Sequence, residues 1–183
     1  ADLAFLLHYL LPRCLKPVYY LALSSLLLTA ALRGASQMVT VINPSTIMAT
    51  ADDLAAMEWI KDNVPQNARF LINVRPWQRD VFMGTDGGWW IPVLTGRQTT
   101  LPPALYRGGA AEYVKRVHDL AQWTTKVDSL DSPEALARLR EEGVTHVYLG
   151  AKGGHITPRM IGPEHYHLLY LHGPVRIYAF RGQ

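Results

Sequence analysis

An uncharged run of 16 residues, PVYYLALSSLLLTAAL, lies between Lys16 and Arg33. As an α-helix it covers roughly 24 Å, slightly less than the hydrocarbon core of a bilayer. The deficit closes if Arg33 reaches the headgroups and the helix continues toward Val41. Apolar side chains surround the helix on all sides, as expected in lipid. The run predicts a transmembrane helix over about residues 17–39, with a buried core helix or an interfacial helix as the alternatives.

This helix divides the chain into parts that meet different solvents. We expect a membrane segment over residues 1–42, a turn-forming linker over residues 43–50 and an extracytoplasmic domain over residues 51–183. Arg13 and Lys16 precede the helix closely, and basic residues favour the cytoplasmic side. Because residues 3–11 are too short to cross a membrane, they are interpreted as the end of an earlier membrane helix. The chain is therefore expected to be the C-terminal piece of a multi-pass protein of the cell membrane, in contact with lipid and with further transmembrane helices.

Composition excludes several functional classes. The 183 residues are 49% hydrophobic and 18% charged, which suits ordinary domains rather than a disordered chain. The net charge is only +3, and the basic residues are scattered singly, so they do not form the continuous basic face that nucleic acid binding requires. Cys14 is the single cysteine, so the sequence contains neither a disulfide pair nor a thiolate metal cluster.

The second part alternates helix and strand patterns. Helices are predicted after Thr50 or Asp52, over residues 109–123, and from Ser132 to a stop at Gly143. In the first of these, Leu54, Met57 and Ile60 form the expected apolar side. Strands are predicted at residues 69–74, 99–101, 145–150, 166–171 and 175–180, and residues 75–84 are assigned to a loop. The fold class is therefore α/β, with a mixed sheet of about four or five strands and flanking helices.

The densest unusual feature is the loop that follows the first predicted strand. It carries Trp77, Asp86, Trp89 and Trp90, and Arg97 follows a short helix that Asp86 caps and Gly96 ends. Ligands bind at the carboxyl ends of strands in open α/β sheets, and indole faces with carboxylates suit carbohydrates. These five residues are candidates for a substrate-binding groove. The alternative is that the indoles fill the core or dock on the membrane while Asp86 is only a helix cap.

Other patterns carry weaker chemical signals. The glycine-rich residues 150–154 follow a strand and are open to two interpretations, a phosphate cradle or a plain connection, but they lack P-loop and dinucleotide spacing. His155, His165 and His167 suggest a metal site by residue type alone, without HExxH or acidic ligands. We therefore predict no metal, no cofactor and no catalytic residue within this chain, and whether it belongs to an enzyme stays open.

Several phrases carry a family resemblance: D-x-x-x-x-x-x-W-I at residues 52–60, FLIN at residues 70–73, Trp77, DGGWWIPVLTGR at residues 86–97 and TTLPP at residues 99–103. Residues 52–106 thereby resemble the region after the final membrane helix of multi-spanning bacterial proteins related to GT-C glycosyltransferases. The order of elements is more distantly similar to the external domain of the oligosaccharyltransferase catalytic subunit, which has W-W-D-Y-G where this sequence has D-G-G-W-W.

The resemblance implies a function. It implies glycosyl transfer from a polyprenyl-phosphate-linked sugar on the outer face of the membrane, with the catalytic acidic residues in an earlier part of the protein. This domain would then assist recognition of the acceptor or the sugar. Two alternatives stay open: a non-catalytic structural or interaction domain of a membrane protein, and an independent soluble enzyme using residues 150–154.

Overall fold

The computed structural model describes residues 15–39, 46–78 and 81–181. The chain forms two compact units, Ala1–Ile47 and Met48–Gln183. The predicted earlier helix end at residues 3–11, Cys14 and the start of the predicted linker at residues 43–45 lie outside the described residues.

The first unit contains a helix, α1 (Lys16–Val39), of 24 residues. Among the described residues it is the one helix long and apolar enough to cross a membrane. None of its residues is buried, whereas a core helix of a soluble domain would have its apolar side covered. The Thr29 hydroxyl donates to the Ser25 carbonyl at 2.8 Å, so this polar group is satisfied within the helix. Such a helix could be a membrane anchor or a signal sequence.

The second unit is an α/β domain. In the described residues its elements are α2 (Ala51–Asn63), β1 (Arg69–Ile72), β2 (Val74–Pro76), β3 (Phe82–Gly84), a 3-10 turn (Gly87–Trp90), α3 (Ile91–Thr95), β4 (Gln98–Thr99), a second 3-10 turn (Ala104–Gly108), α4 (Ala111–Thr124), α5 (Pro133–Glu141), β5 (His146–Leu149), a third 3-10 turn (Pro158–Met160), β6 (Tyr166–His172) and β7 (Val175–Phe180).

The main sheet has five strands in the order β4-β1-β5-β7-β6. β1 runs parallel to β4 and β5, whereas β7 is antiparallel to β5 and β6, which confirms the predicted mixed sheet. Successive side chains of β1 enter different cores, with Phe70 and Ile72 on the face shared with α2 and α4 and Leu71 on the face shared with α5. The sheet is therefore covered by helices on both faces.

Helix ends follow the capping residues of the sequence. Thr50 and Asp53 form a reciprocal capping box at the start of α2. Ser132 Oγ accepts the Ala135 amide at 3.1 Å at the start of α5. Gly96 and Gly143 follow α3 and α5 with φ of 73° and 64°, which glycine adopts without strain. These ends agree with the prediction.

Two details differ from the prediction. Leu54 was expected on the apolar side of α2, but it is 52% exposed, while Asp53 is fully buried. The reason is that hydrogen bonds draw the Asp53 carboxylate inward, which rotates Leu54 toward solvent. Residues 75–84 were expected to be loop, but β2 and β3 pair there as an antiparallel hairpin. Each of these two strands has only three residues, and Arg75 is exposed, so the alternation of apolar and polar residues that marks a strand is not visible in the sequence.

Candidate functional site

Asp86 lies fully buried where β1 and β5 end. Its Oδ1 accepts the Gly88 amide at 2.9 Å, and its Oδ2 accepts the Gly150 amide at 2.8 Å. The first bond caps the turn Gly87–Trp90, as the sequence predicts. The second joins this turn to the segment after β5. Asp86 therefore ties together two chain segments at the carboxyl edge of the parallel strands.

Asp53 forms the other half of this buried network. Its Oδ1 accepts from the Tyr148 hydroxyl at 2.8 Å and from the Ala151 amide at 3.0 Å. Its Oδ2 accepts the Thr50 amide at 2.7 Å. This role was not predicted, because in the sequence Asp53 resembles any acidic residue in the first turn of a helix. Its spacing of three residues from Thr50 was the available signal.

The pKa of Asp86 is raised because its carboxyl is buried beside a second carboxyl. Burial lifts the pKa of this carboxyl from 3.8 to about 7, the nearby Asp53 carboxyl adds to the rise, and the bonds from Gly150 and Gly88 oppose it. Burial also raises the pKa of the Tyr148 phenol, reinforced by Asp53. Tyr148 consequently stays a donor. The two carboxyls and the phenol form a polar cluster that is bonded to the backbone on several sides.

The three predicted tryptophans differ in exposure. Trp77, beside the tip of the β2–β3 hairpin, is 54% exposed, and Trp90, at the end of the Asp86-capped turn, is 41% exposed. Trp89 is partly buried and packs against the main core. A Cβ at Gly84 would lie 2.7 Å from Trp89 Cβ, so the turn rests directly on β3. Trp77 and Trp90 thus present indole surface to solvent, while Trp89 contributes chiefly to packing.

Arg97 lies at the opposite edge of the sheet. It precedes β4, and Gln98 pairs with Arg69 at the start of β1, so Arg97 is at the amino ends of the parallel strands. Its side chain is 9% exposed. Nη2 donates to the Lys61 and Val64 carbonyls at 2.9 and 2.8 Å, which satisfies the C-terminal end of α2. Arg97 therefore joins α2 to the strand that follows α3.

The five predicted site residues are consequently divided between two edges. The structure brings Trp77, Asp86, Trp89 and Trp90 to the carboxyl edge, and it places Arg97 at the amino edge. Of these, Asp86 and Arg97 bond to the protein's own backbone. Only Trp77 and Trp90 expose more than a third of their surface to a ligand. Their role in binding remains a prediction.

The glycine-rich residues 150–154 close the buried network. The Gly150 and Ala151 amides donate to Asp86 and Asp53, and a Cβ at Gly154 would lie 2.5 Å from Asn73 Cγ. These glycines allow the loop to pack on the carboxyls. The two amides at the start of the loop therefore point to side chains of the protein rather than to an incoming phosphate.

The histidines considered as metal ligands have separate partners. The His155 ring nitrogen Nε2 lies 2.7 Å from the Val127 carbonyl, and His165 Nδ1 lies 3.3 Å from Asp131 Oδ1. Within residues 15–39, 46–78 and 81–181, no group of three or more His, Cys, Asp or Glu is placed to hold a metal ion.

A cavity of about 500 Å³ opens at the amino edge, beside β4 and α4. Arg69, Arg97, Arg116 and Glu142 supply its charged lining. Arg116 donates to Glu142 through Nε and Nη2, at 3.2 and 3.0 Å from Oε2, and Arg69 Nη2 lies 3.5 Å from the same oxygen. Burial lowers the pKa of Arg69, and Glu142 acts against that shift. The sequence offered no pattern for this cavity because its successive arginines are 28 and 19 residues apart.

Comparison with family models, curated proteins and solved structures finds no match to this chain.

Proposed function

We propose that residues 48–183 form a recognition domain of a multi-pass, GT-C-like membrane glycosyltransferase, and that this domain assists binding of the sugar or the acceptor. The domain would lie on the extracytoplasmic side and would hold no catalytic residue. The donor would be a polyprenyl-phosphate-linked sugar bound by the membrane part.

The observation that carries this proposal is the pair of exposed indoles, Trp77 and Trp90, on segments leaving the carboxyl edge of the sheet. Asp86 fixes the turn that ends at Trp90, because it bonds to both Gly88 and Gly150. A backbone that is fixed before binding lowers the entropy cost when a ligand packs on the side chain it carries. Apolar C–H faces of sugars suit such surfaces, and aromatic side chains are common in ligand sites.

A non-catalytic structural domain is the second candidate. It is favoured by the use of Asp86 and Arg97 as internal hydrogen-bond partners. Under this alternative, Trp77 and Trp90 pack against other helices of the parent protein. Both candidates agree that Asp86→Ala destabilises the domain, so that variant does not test ligand contact.

Trp77→Ala and Trp90→Ala distinguish the two candidates. The full chain is titrated with neutral oligosaccharides by calorimetry, in micelles of a detergent without a sugar headgroup. We expect saturable binding that each variant weakens roughly tenfold, since a buried aromatic contact commonly contributes more than 1 kcal/mol.

The matched control is Leu171→Ala, which removes exposed apolar surface from β6, at the far edge of the sheet. It should leave binding unchanged. Equal oligosaccharide binding by all four proteins, or no saturable binding by the wild type, would contradict sugar recognition. A loss of thermal stability in the tryptophan variants without any binding would support the structural alternative.

A further inference from the structure

The amino-edge cavity has an excess of positive charge. Its charged lining consists of three guanidinium groups, from Arg69, Arg97 and Arg116, and one carboxylate, from Glu142. Two positive charges are therefore not balanced by acidic lining residues, in a chain whose total net charge is only +3. Guanidinium groups match the oxygens of carboxylates and phosphates with paired hydrogen bonds.

Buried polar atoms without partners are found at the same place. Among the residues that the structure describes, two buried side-chain atoms lack a hydrogen-bond partner, Arg97 Nε and Thr100 Oγ1. Both residues line this cavity. Buried donors are almost always satisfied in folded proteins, so unsatisfied ones call for a specific explanation. Their coincidence with the excess charge makes this cavity the place in the described domain where polar groups are least satisfied by the protein itself.

Glu142 orients the guanidinium groups without using all their donors. Its carboxylate holds Arg116 through Nε and Nη2, which leaves the Nη1 group of Arg116 available for a second oxyanion. Glu142 is itself buried, and its carbonyl accepts from Arg69 Nη1 at 2.6 Å. The two arginines are therefore held in place before any ligand arrives, which lowers the entropy cost of binding.

The size and the remaining lining suit an organic molecule rather than a bare ion. A volume of about 500 Å³ lies within the range of small-molecule sites. Pro102, Pro103 and Tyr113 provide ring surfaces beside the charged group. β4 is an edge strand with two paired residues, so the cavity is not closed by a further strand. A ligand with an anionic end and a compact organic body fits these features.

We propose that the amino-edge cavity binds a small organic phosphate, with the phosphate group beside Arg69 and Arg116 and the organic part against Tyr113 and the two prolines. This site is separate from the indoles at the carboxyl edge, so it does not depend on their role. A free sugar phosphate and a lipid phosphate headgroup share the recognised chemistry.

Calorimetry with glucose 1-phosphate tests the proposal on the full chain, in micelles of a detergent that carries neither sugar nor phosphate. We expect saturable binding, weaker binding of inorganic phosphate and no binding of glucose. Arg116→Gln should weaken binding roughly tenfold, because a charge-assisted hydrogen bond to the phosphate is lost. Lys115→Gln is the matched control: it removes the same charge from the adjacent residue, which is exposed, pairs with Asp119 and does not line the cavity.

Glu142→Gln separates ligand binding from a structural ion-pair role. Glutamine still offers an oxygen that accepts from Arg116, so it can keep the arginine in place, but the competing negative charge is gone. Stability falls in either case, whereas phosphate binding strengthens only if the arginines face a ligand. Phosphatidic acid added to the micelles shows whether the natural ligand is a lipid headgroup or a soluble molecule. Competition with glucose 1-phosphate supports a headgroup site, and lack of competition supports a soluble phosphate. The proposal is overturned if no phosphate compound binds the wild type, if Arg116→Gln and Lys115→Gln weaken binding equally, or if glucose binds as tightly as its phosphate.

Discussion

Asp86 combines full burial with two backbone hydrogen bonds, and the balance between them sets its protonation. An unfolded aspartate has a pKa of about 3.9, whereas burial raises the pKa of folded Asp86 to about 7. Between these values the folded state holds a proton that the unfolded state has lost. Stability linked to Asp86 is therefore full below pH 4, falls as the pH rises, and levels off above pH 7.

This linkage predicts a measurable difference between wild type and Asp86→Asn. Asparagine does not titrate, so the wild type should lose about 2–3 kcal/mol relative to the variant between pH 5 and pH 8. Urea unfolding of the full chain in detergent, followed by tryptophan fluorescence, measures both free energies of unfolding. The comparison with the variant cancels other groups such as His146, whose pKa burial lowers and whose linkage has the opposite sign. A difference that stays constant or grows in favour of the wild type would contradict the shift.

Arg97 illustrates the limit of sequence reasoning at the scale of one residue. An arginine after a helix-ending glycine resembles a ligand-binding residue as much as a structural one. Its contacts with the Lys61 and Val64 carbonyls depend on how α2 packs beside β4, which residue type does not encode. The role of Asp86 as a cap was predicted, because its bond to the Gly88 amide joins residues that are close in the sequence.

At the scale of elements, the loop after β5 is held by close packing of glycine on carboxyl groups. A Cβ at Gly150 would lie 2.7 Å from Asp86 Cγ and 2.8 Å from Asp53 Oδ1. Neither carboxyl can move away without losing hydrogen bonds to the backbone. Gly150→Ala should therefore lower the free energy of unfolding by about 3 kcal/mol, the upper end of ordinary overpacking.

Gly108→Ala provides the comparison for this change. A Cβ at Gly108 meets nothing within 4 Å, and the residue itself is exposed at the end of the second 3-10 turn. The free energy of unfolding should change by less than about 0.5 kcal/mol. Urea unfolding of both variants gives the two values. Equal effects at the two positions would show that the loop adjusts and that the carboxyl network is not rigid.

The elements themselves were largely predictable because their signals are local. The Ser132 cap, Gly96, Gly143 and the apolar runs of β1 and β5 all depend on neighbouring residues. The β2–β3 hairpin was missed because three-residue strands are too short to establish a period of two. Asp53 was missed because its partners Tyr148 and Ala151 are more than 90 residues away in the chain.

At the scale of the whole domain, the sheet separates two sets of chemistry that the sequence places close together. Residues 86–97 begin at the carboxyl edge and return along α3 to the amino edge, so Asp86 and Arg97 end on opposite sides. Because Asp86 and Arg97 are close in the sequence, a single groove was predicted for both. The amino-edge cavity could not be predicted, since its residues come from separate elements: one from β1, one from α3, two from β4, four from α4 and one from the end of α5, besides those of the connecting segments.

The proposed glycosyltransferase function assumes a protein held at a membrane, and α1 provides the test of that assumption. None of its residues is buried, and its apolar side chains face all directions. A membrane anchor keeps the full chain in the pellet after alkaline carbonate extraction, with an intact mass that includes α1. A cleaved signal sequence instead gives a soluble product without it. We expect the first result.

Two arginine substitutions in the centre of α1 should abolish the retention of the chain in the membrane pellet. Leu26→Arg and Leu27→Arg together oppose insertion by about 5–7 kcal/mol, since each charge costs about 2.5–3.5 kcal/mol there, and the chain should move to the supernatant. Val93→Arg with Leu105→Arg is the control, because both side chains are exposed in the second unit and the same charge is added. That control should stay in the pellet. If the wild-type chain, with α1 still present, were extracted as readily as the double-arginine helix variant, the membrane assignment would fail, and the glycosyltransferase proposal would fail with it.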